Sequence, residues 1–264
     1  MWRKIPDWLI YLVIIIALYA NANRGSESID ALPPPPELGP MLPNETPRDE
    51  RVIVDVKRAD SGVGTAFAID GKGRWMTARH VVDSCDEVGI DIGGRKVMRV
   101  ESFVSEDSDT AILIGAWKRK PLASDLYTNR QIGERGFFFG FPQGRPGEVV
   151  GSLLARNRMV VRGRYKSDEA ILAWSELGRT KGLIGSLGGL SGAPVMDKDG
   201  EVIGVVSAES PRRGRIYTVA PENLQELFKD RSAAPEGLSL NTYGLQADRL
   251  RRERRIAQVI CIVD

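Results

Sequence analysis

From Arg51 onward the chain is written in short apolar runs, each bounded by glycine or charged turn residues. That punctuation is too short for helices and recurs roughly every 8 to 12 residues, the spacing of sandwiches and barrels. The runs Val52–Val56, Gly64–Ile69, Val88–Ile92, Lys96–Val100 and Ala111–Ile114 read as a first set of strands. Arg135–Gly140, Val149–Ala155, Met159–Arg164, Ala170–Trp174, Ala193–Met196, Glu201–Ser207 and Ile216–Val219 read as a second. The 28 glycines suit an all-β protein with many turns. Periodicity alone leaves sandwich and barrel open. Near the end, Pro221–Lys229 and Leu245–Arg255 read as short helices, and Ile256–Val263 as a last strand. No internal repeat is visible.

The beginning of the chain has a different texture. Arg3 and Lys4 precede an apolar run from Trp8 to Ala20, followed by Ala20-Asn21-Ala22. A positive flank, a short apolar core and a small-x-small site describe a signal peptide in residues 1–22. As a helix the run is shorter than the ~30 Å hydrocarbon core, but extended from Ile5 to Ala22 it reaches the length of an anchor. Cleaved leader and uncleaved N-terminal apolar helix both stand, and both send the remainder across a membrane. Residues 23–50, with Pro33 to Pro36, Pro40, Pro43 and Pro47, read as a semi-rigid spacer. The sequon Asn44-Glu45-Thr46 is a weak match, with Pro47 behind it. A formal charge of +2 gives no reason to expect a nucleic-acid partner.

His80 is the only histidine, which makes it the single candidate for an imidazole base. It stands in Thr77-Ala78-Arg79-His80-Val81-Val82. Downstream lies Gly188-Gly189-Leu190-Ser191-Gly192-Ala193-Pro194. A serine hydroxyl becomes a nucleophile when a neighbouring imidazole takes its proton. Between them, Asp109 opens the apolar strand Asp109-Thr110-Ala111-Ile112-Leu113, where a carboxylate at a sheet edge can fix the tautomer of an imidazole. Asp107 is the nearest competitor and lacks that following run. Glycines on both sides of Ser191 let the backbone turn tightly, and the amides of Gly189 and Ser191 can converge as an oxyanion hole. The bland alternative for the segment alone is a glycine turn between strands.

In these motifs, together with Gly64-Thr65-Ala66-Phe67 and Gly140-Phe141-Pro142, the chain resembles the trypsin-like (chymotrypsin-fold) serine peptidases. The likeness is to the bacterial HtrA-like branch without its peptide-binding (PDZ) domain, and it covers roughly residues 51–230. It implies a double six-stranded β-barrel, with His80 and Asp109 from the first barrel and Ser191 from the second. Residues 231–264 then form a helix and strand packing back on that domain. The digestive enzymes of the family carry an aspartate where this chain has Leu190, so activation by that ion pair is not expected. The few residues after Val219 argue against HtrA-style cage assembly.

Family geometry further implies that Gly185 lies near the base of the specificity pocket, with Ser207, Ala208 and Glu209 as one wall that adds an extended peptide as a strand. Arg215 at the back would favour an acidic side chain. Equally, Arg212, Arg213 and Arg215 form a solvated loop run. Cys85 and Cys261 can pair in an oxidising compartment, or remain two buried thiols. The basic residues Arg249, Arg251, Arg252, Arg254 and Arg255 read by default as a solvated helix face, with anionic lipid as the sharper alternative. The expectation is an exported, extracytoplasmic serine endopeptidase acting on protein or peptide substrates, without metal or other cofactor. It touches the membrane through residues 1–22 if these stay attached. A catalytically silent, peptide-binding protease fold is the alternative; an esterase of the α/β-hydrolase class has the wrong order of residues.

Overall fold

The computed structural model describes residues 36–228, 233–237 and 241–264. The leader or anchor expected in residues 1–22, and residues 23–35 of the proline-rich spacer, lie outside the described residues. Among the described residues no helix is long and apolar enough to cross a membrane.

The chain is mostly β and builds two sheets. The first contains β2 (Gly62–Ala68), β3 (Arg74–Thr77), β4 (Glu87–Gly93), β5 (Lys96–Arg99), β6 (Glu101–Val104), β7 (Ala111–Ile114) and β14 (Ile256–Ile262). Its order is β5-β4-β14-β2-β3-β7-β6. Only Val100 separates β5 from β6, so one bent stretch of chain borders both ends of the sheet. The C-terminal strand β14 is an interior member, antiparallel to β2 on one side and β4 on the other. Alternation sends Ala257 and Val259 inward to pack with Trp75, Ile90 and Leu113. Each such large side chain contributes about 1.5–3 kcal/mol by leaving water.

The second sheet runs β1 (Arg51–Val56), β9 (Gly147–Gly163), β10 (Ser167–Arg179), β13 (Arg215–Val219), β12 (Val202–Ser210), β11 (Pro194–Met196), β8 (Arg135–Gly140). Because β8 also pairs with β9, six of these strands close on themselves, and β1 is added parallel to β9. The core of this ring holds Phe138, Leu153, Leu172, Trp174, Leu190 and Ile203.

Three local expectations differ from the structure. Val149–Ala155 and Met159–Arg164 are one strand, β9. The intervening Arg156, Asn157 and Arg158 are not a turn, because Arg156 pairs with Glu222, Asn157 with Glu50 and Arg158 with Asp168 and Glu45. Of the helix expected over Pro221–Lys229, the described residues 221–228 form only a 3-10 turn over Pro221–Leu224, and Lys229 lies outside the described residues. The last helix, α2 (Tyr243–Arg252), follows a short α1 (Arg79–Val82), and it does not present a uniformly solvated basic face. Arg251 is buried against Glu148 and Asp248, and Arg255 against Glu236 and the carbonyls of Lys120 and Pro121.

Cys85, just after α1, forms a disulfide with Cys261 in β14, with Cα atoms 5.6 Å apart. It closes a loop of 176 residues, which in the chain-entropy model stabilises the fold by about 5 kcal/mol.

Candidate active site

Short elements at the junction of the sheets carry the candidate groups. His80 lies in α1, immediately after β3; Asp109 lies in the turn from β6 to β7; Ser191 lies in the loop from β10 to β11. The serine loop is held on the first sheet by its backbone. Thr65 donates its N–H to the Ser191 carbonyl at 2.9 Å and its hydroxyl to the Gly189 carbonyl at 2.8 Å. Gly192 has φ +84°, and a Cβ there would stand 2.2 Å from the Thr65 oxygen and 2.3 Å from Thr77 Oγ1. Only glycine fits both that conformation and that approach.

The imidazole of His80 faces Asp109, with Nδ1 at 2.8 Å from Oδ2 and 3.1 Å from Oδ1. Nδ1 therefore carries the proton donated to the carboxylate, which leaves Nε2 as the free acceptor. Asp109 is 1% exposed and saturated with donors. Oδ1 also accepts the His80 main-chain N–H at 2.9 Å and the Tyr165 hydroxyl at 2.7 Å, and Oδ2 accepts the Ser207 hydroxyl. Burial pushes the Asp109 carboxyl up, but the His80 charge and these hydrogen bonds outweigh it and hold the group below its ordinary value. Burial pushes His80 down, yet the Asp109 charge and bond win and its pKa is raised, with Arg164 opposing.

The amides of Gly189 and Ser191 take no hydrogen-bond partner among the described residues. Gln143 donates its main-chain N–H to the Gly188 carbonyl at 2.5 Å. In a planar trans peptide that bond turns the Gly189 N–H to the opposite side. The Gln143 side chain, from a residue at φ 54°, donates to the carbonyls of Ile184 and Ser186 and fixes the same loop. Gly189 itself has φ +93°. The Ser191 hydroxyl likewise makes no hydrogen bond among the described residues.

A cleft of about 390 Å³ opens beside the imidazole, lined by His80, Asp109, Ser207, Ala208 and Glu209, with the end of β1 opposite. Beyond Val206 the outer edge of β12 is not paired with another strand among the described residues. Ser207, expected only in a pocket wall, donates its hydroxyl to Asp109. Gly185 is exposed in the loop after β10, and its carbonyl accepts a bond from Arg179 at 2.7 Å. The Glu209 carboxylate spans to that loop and accepts the Leu187 N–H at 2.9 Å and the Ser186 hydroxyl. Arg215 lines a neighbouring hollow with Glu209, Arg213 and β1. Nothing in the sequence marks Tyr165 and Arg164, lone residues whose role arises only where the two sheets meet, or Gln143, which braces the serine loop from a turn of the same sheet. Thr65 stands in a motif, but its bonds to the serine loop give no local sign.

Elsewhere, Asp125, Asp197 and Glu201 converge closely enough to ligate a cation. Arg130 already sits among them, paired with Asp125 and, at 3.4 Å, with Asp197.

Comparison with known proteins supplies the family and the fold. A family model described as a trypsin-like peptidase domain matches residues 64–205, more than half of the chain. A probable periplasmic serine endoprotease DegP-like from Pseudomonas savastanoi pv. phaseolicola is 26% identical over 224 residues, covering 80% of this chain and 41% of that protein. The protein of the same name from Pseudomonas fulva is 26% identical over 212 residues, covering 74% and 40%. The chain thus spans about two fifths of the length of these relatives. Among solved structures, the Rv3671c protease from M. tuberculosis in its active form aligns with a TM-score of 0.53 at 19% identity, covering 67% of this chain and 76% of that one. The HtrA-type protease AlgW with decapeptide aligns at 0.51 and 18%, covering 63% and 50%. These two likenesses establish the fold. With the family match across its serine, histidine and aspartate segments, the chain belongs to the trypsin-like peptidase domain family.

Proposed function

We propose that the protein is an exported serine endopeptidase with the triad Ser191, His80 and Asp109, mounted on two six-stranded β-barrels. The observation that carries this reading is the His80–Asp109 pair, with Nδ1 at 2.8 Å from a carboxylate that is itself buried and fully donated to. In the proposed reaction, Ser191 Oγ attacks the scissile carbonyl while His80 Nε2 takes its proton, and Asp109 stabilises the resulting imidazolium. The developing oxyanion is received by the N–H groups of Gly189 and Ser191, each worth about 100- to 1000-fold in rate. Collapse of the tetrahedral adduct expels the amine, protonated by His80, and leaves an acyl-Ser191 that water hydrolyses by the same steps.

An extended peptide fits the free edge of Ser207 to Glu209, where main-chain groups can add it as a strand. Its side chain before the scissile bond would enter the space between that edge and the Gly185–Leu187 loop. Glu209 crosses this space, so the reading includes a restricted pocket rather than a deep one. Arg215 shares a neighbouring hollow with Glu209, where a guanidinium would favour an acidic side chain. Export is supported by the N-terminal sequence, by the disulfide and by the periplasmic naming of the relatives.

The test is digestion of an unfolded protein such as casein by the full chain, with products read by mass spectrometry. Peptide products that vanish in Ser191→Ala support the reading; products that persist in that variant, or none from the wild type, reject it.

A further inference from the structure

The triad reading concerns three residues, but the second sheet makes a separate set of contacts with the His80–Asp109 pair. They come from the seven residues at the tip of the β9–β10 hairpin, Gly163 to Glu169. The Tyr165 hydroxyl donates to Asp109 Oδ1 at 2.7 Å. Arg164 donates to the His80 carbonyl at 2.7 Å and pairs with Asp83 at 3.2 Å, at the other end of α1. Glu169 accepts the Asp109 N–H at 2.6 Å through Oε1 and the Ser108 hydroxyl at 2.6 Å through Oε2. One hairpin tip therefore grips the carboxylate, its main chain and the helix that carries the imidazole. Arg79, next to His80, closes the grip by stacking its guanidinium 3.9 Å from the centre of the Tyr165 ring.

The hairpin is braced in turn. β1 pairs in parallel with β9 from Arg51↔Arg158 to Val56↔Gly163, up to the base of the tip. Gly163, at φ +100°, permits the contact, since a Cβ there would stand 2.2 Å from the Val56 oxygen. Met159, Val161, Tyr165 and Tyr217 form a separate apolar cluster beneath, with Val52 and Val54 packed against it. The tip is thus a rigid projection, and a tyrosine hydroxyl buried on a rigid support is preorganised to hold a carboxylate.

We propose that the β9–β10 tip is a positioning clamp for the His80–Asp109 pair and that Tyr165 is its positioning residue. The proposal rests on the triad reading and extends it to a residue outside the triad. Tyr165 fixes the rotation of the Asp109 carboxylate so that Oδ2 stays aimed at Nδ1. It also draws on the negative charge of Asp109, which would otherwise be offered wholly to the imidazolium.

Tyr165→Phe removes only the hydroxyl and keeps the ring under Arg79. The full chain carries one histidine, so [15N]histidine labelling gives a single imidazole whose titration reads His80 without assignment. Tyr165→Phe is expected to lower kcat about tenfold with KM unchanged. The imidazole titration and the acid limb of kcat/KM should both move to higher pH. Replacement of Tyr165 by 3,5-difluorotyrosine, a stronger donor of the same shape, should move the titration the opposite way. A merely structural role would leave the titration where it is. Wild-type titration and kcat in Tyr165→Phe would overturn the clamp while leaving the triad standing. A wild type that neither turns over nor labels at Ser191 overturns the triad reading and the clamp with it.

Discussion

The carboxyl of Glu169 accepts the main-chain N–H of Asp109 at 2.6 Å, so one buried acid supports another. Burial, opposed by bonds from Ser108, Asp109 and Asn223 and reinforced by the Asp109 charge, pushes Glu169 up to about 7. An unfolded glutamate titrates near ~4.3, so the folded state favours the protonated form. Its stabilisation is complete below that value and is lost as pH rises towards 7, a swing of about 3 kcal/mol. Chemical denaturation from pH 4.5 to 7.5 should show this slope in the wild type and a flatter one in Glu169→Gln. Parallel slopes would contradict the assignment.

His80 is held above its ordinary value by Asp109. The free base is the active form, so the acid limb of kcat/KM should lie above the ordinary histidine value of ~6.5. Asp109→Asn should abolish that upward displacement and lower kcat by about 10,000-fold through the wrong tautomer. A limb at or below the ordinary value would show that the pair is not coupled as described.

Gly192 and Gly189 are required by space as much as by φ. In Gly192→Ala the new methyl meets Thr65 and Thr77, and in Gly189→Ala it meets the Phe141 carbonyl at 2.6 Å. Both substitutions should cost at least about 100-fold in kcat by moving an oxyanion donor. Thermal melts should show the protein still folded.

Glu209 ties β12 to the Ser186–Leu187 loop. Glu209→Ala should raise kcat/KM at least about tenfold for peptides with a large side chain before the scissile bond, with little change for small ones. A panel of peptides differing at that position reads this directly, and an unchanged profile would remove Glu209 from the pocket.

How much of this was legible beforehand depends on the range of each interaction. Gly189-Leu190-Ser191-Gly192 and the lone His80 stand out because their chemistry and backbone demands are local. The strand series from Val52 to Val219 was visible through alternation and turns, but Arg156-Asn157-Arg158 looked like a break in β9. Arg156 and Arg158 pair with Glu222 and Glu45, and Asn157 donates to Glu50, all from distant segments, while Asp168 reaches Arg158 from the paired strand. The position of β14 between β2 and β4 was hidden for the same reason, since a last strand gives no local sign of its partners. Tyr165 and Ser207 both reach Asp109 from the opposite sheet, and no spacing in the sequence announces a hydroxyl aimed at a carboxylate 56 or 98 residues away. Arg251 and Arg255 looked solvated because charge runs usually are; buried acids and carbonyls reversed that.

The central claim is that Ser191 is a nucleophile activated by His80. Labelling of the full chain with a serine-directed fluorophosphonate probe, beside Ser191→Ala and His80→Ala, tests it most directly. The account predicts a single modified serine, Ser191, with labelling lost in both variants. A folded wild type that takes no label, or a label that survives Ser191→Ala, would contradict it.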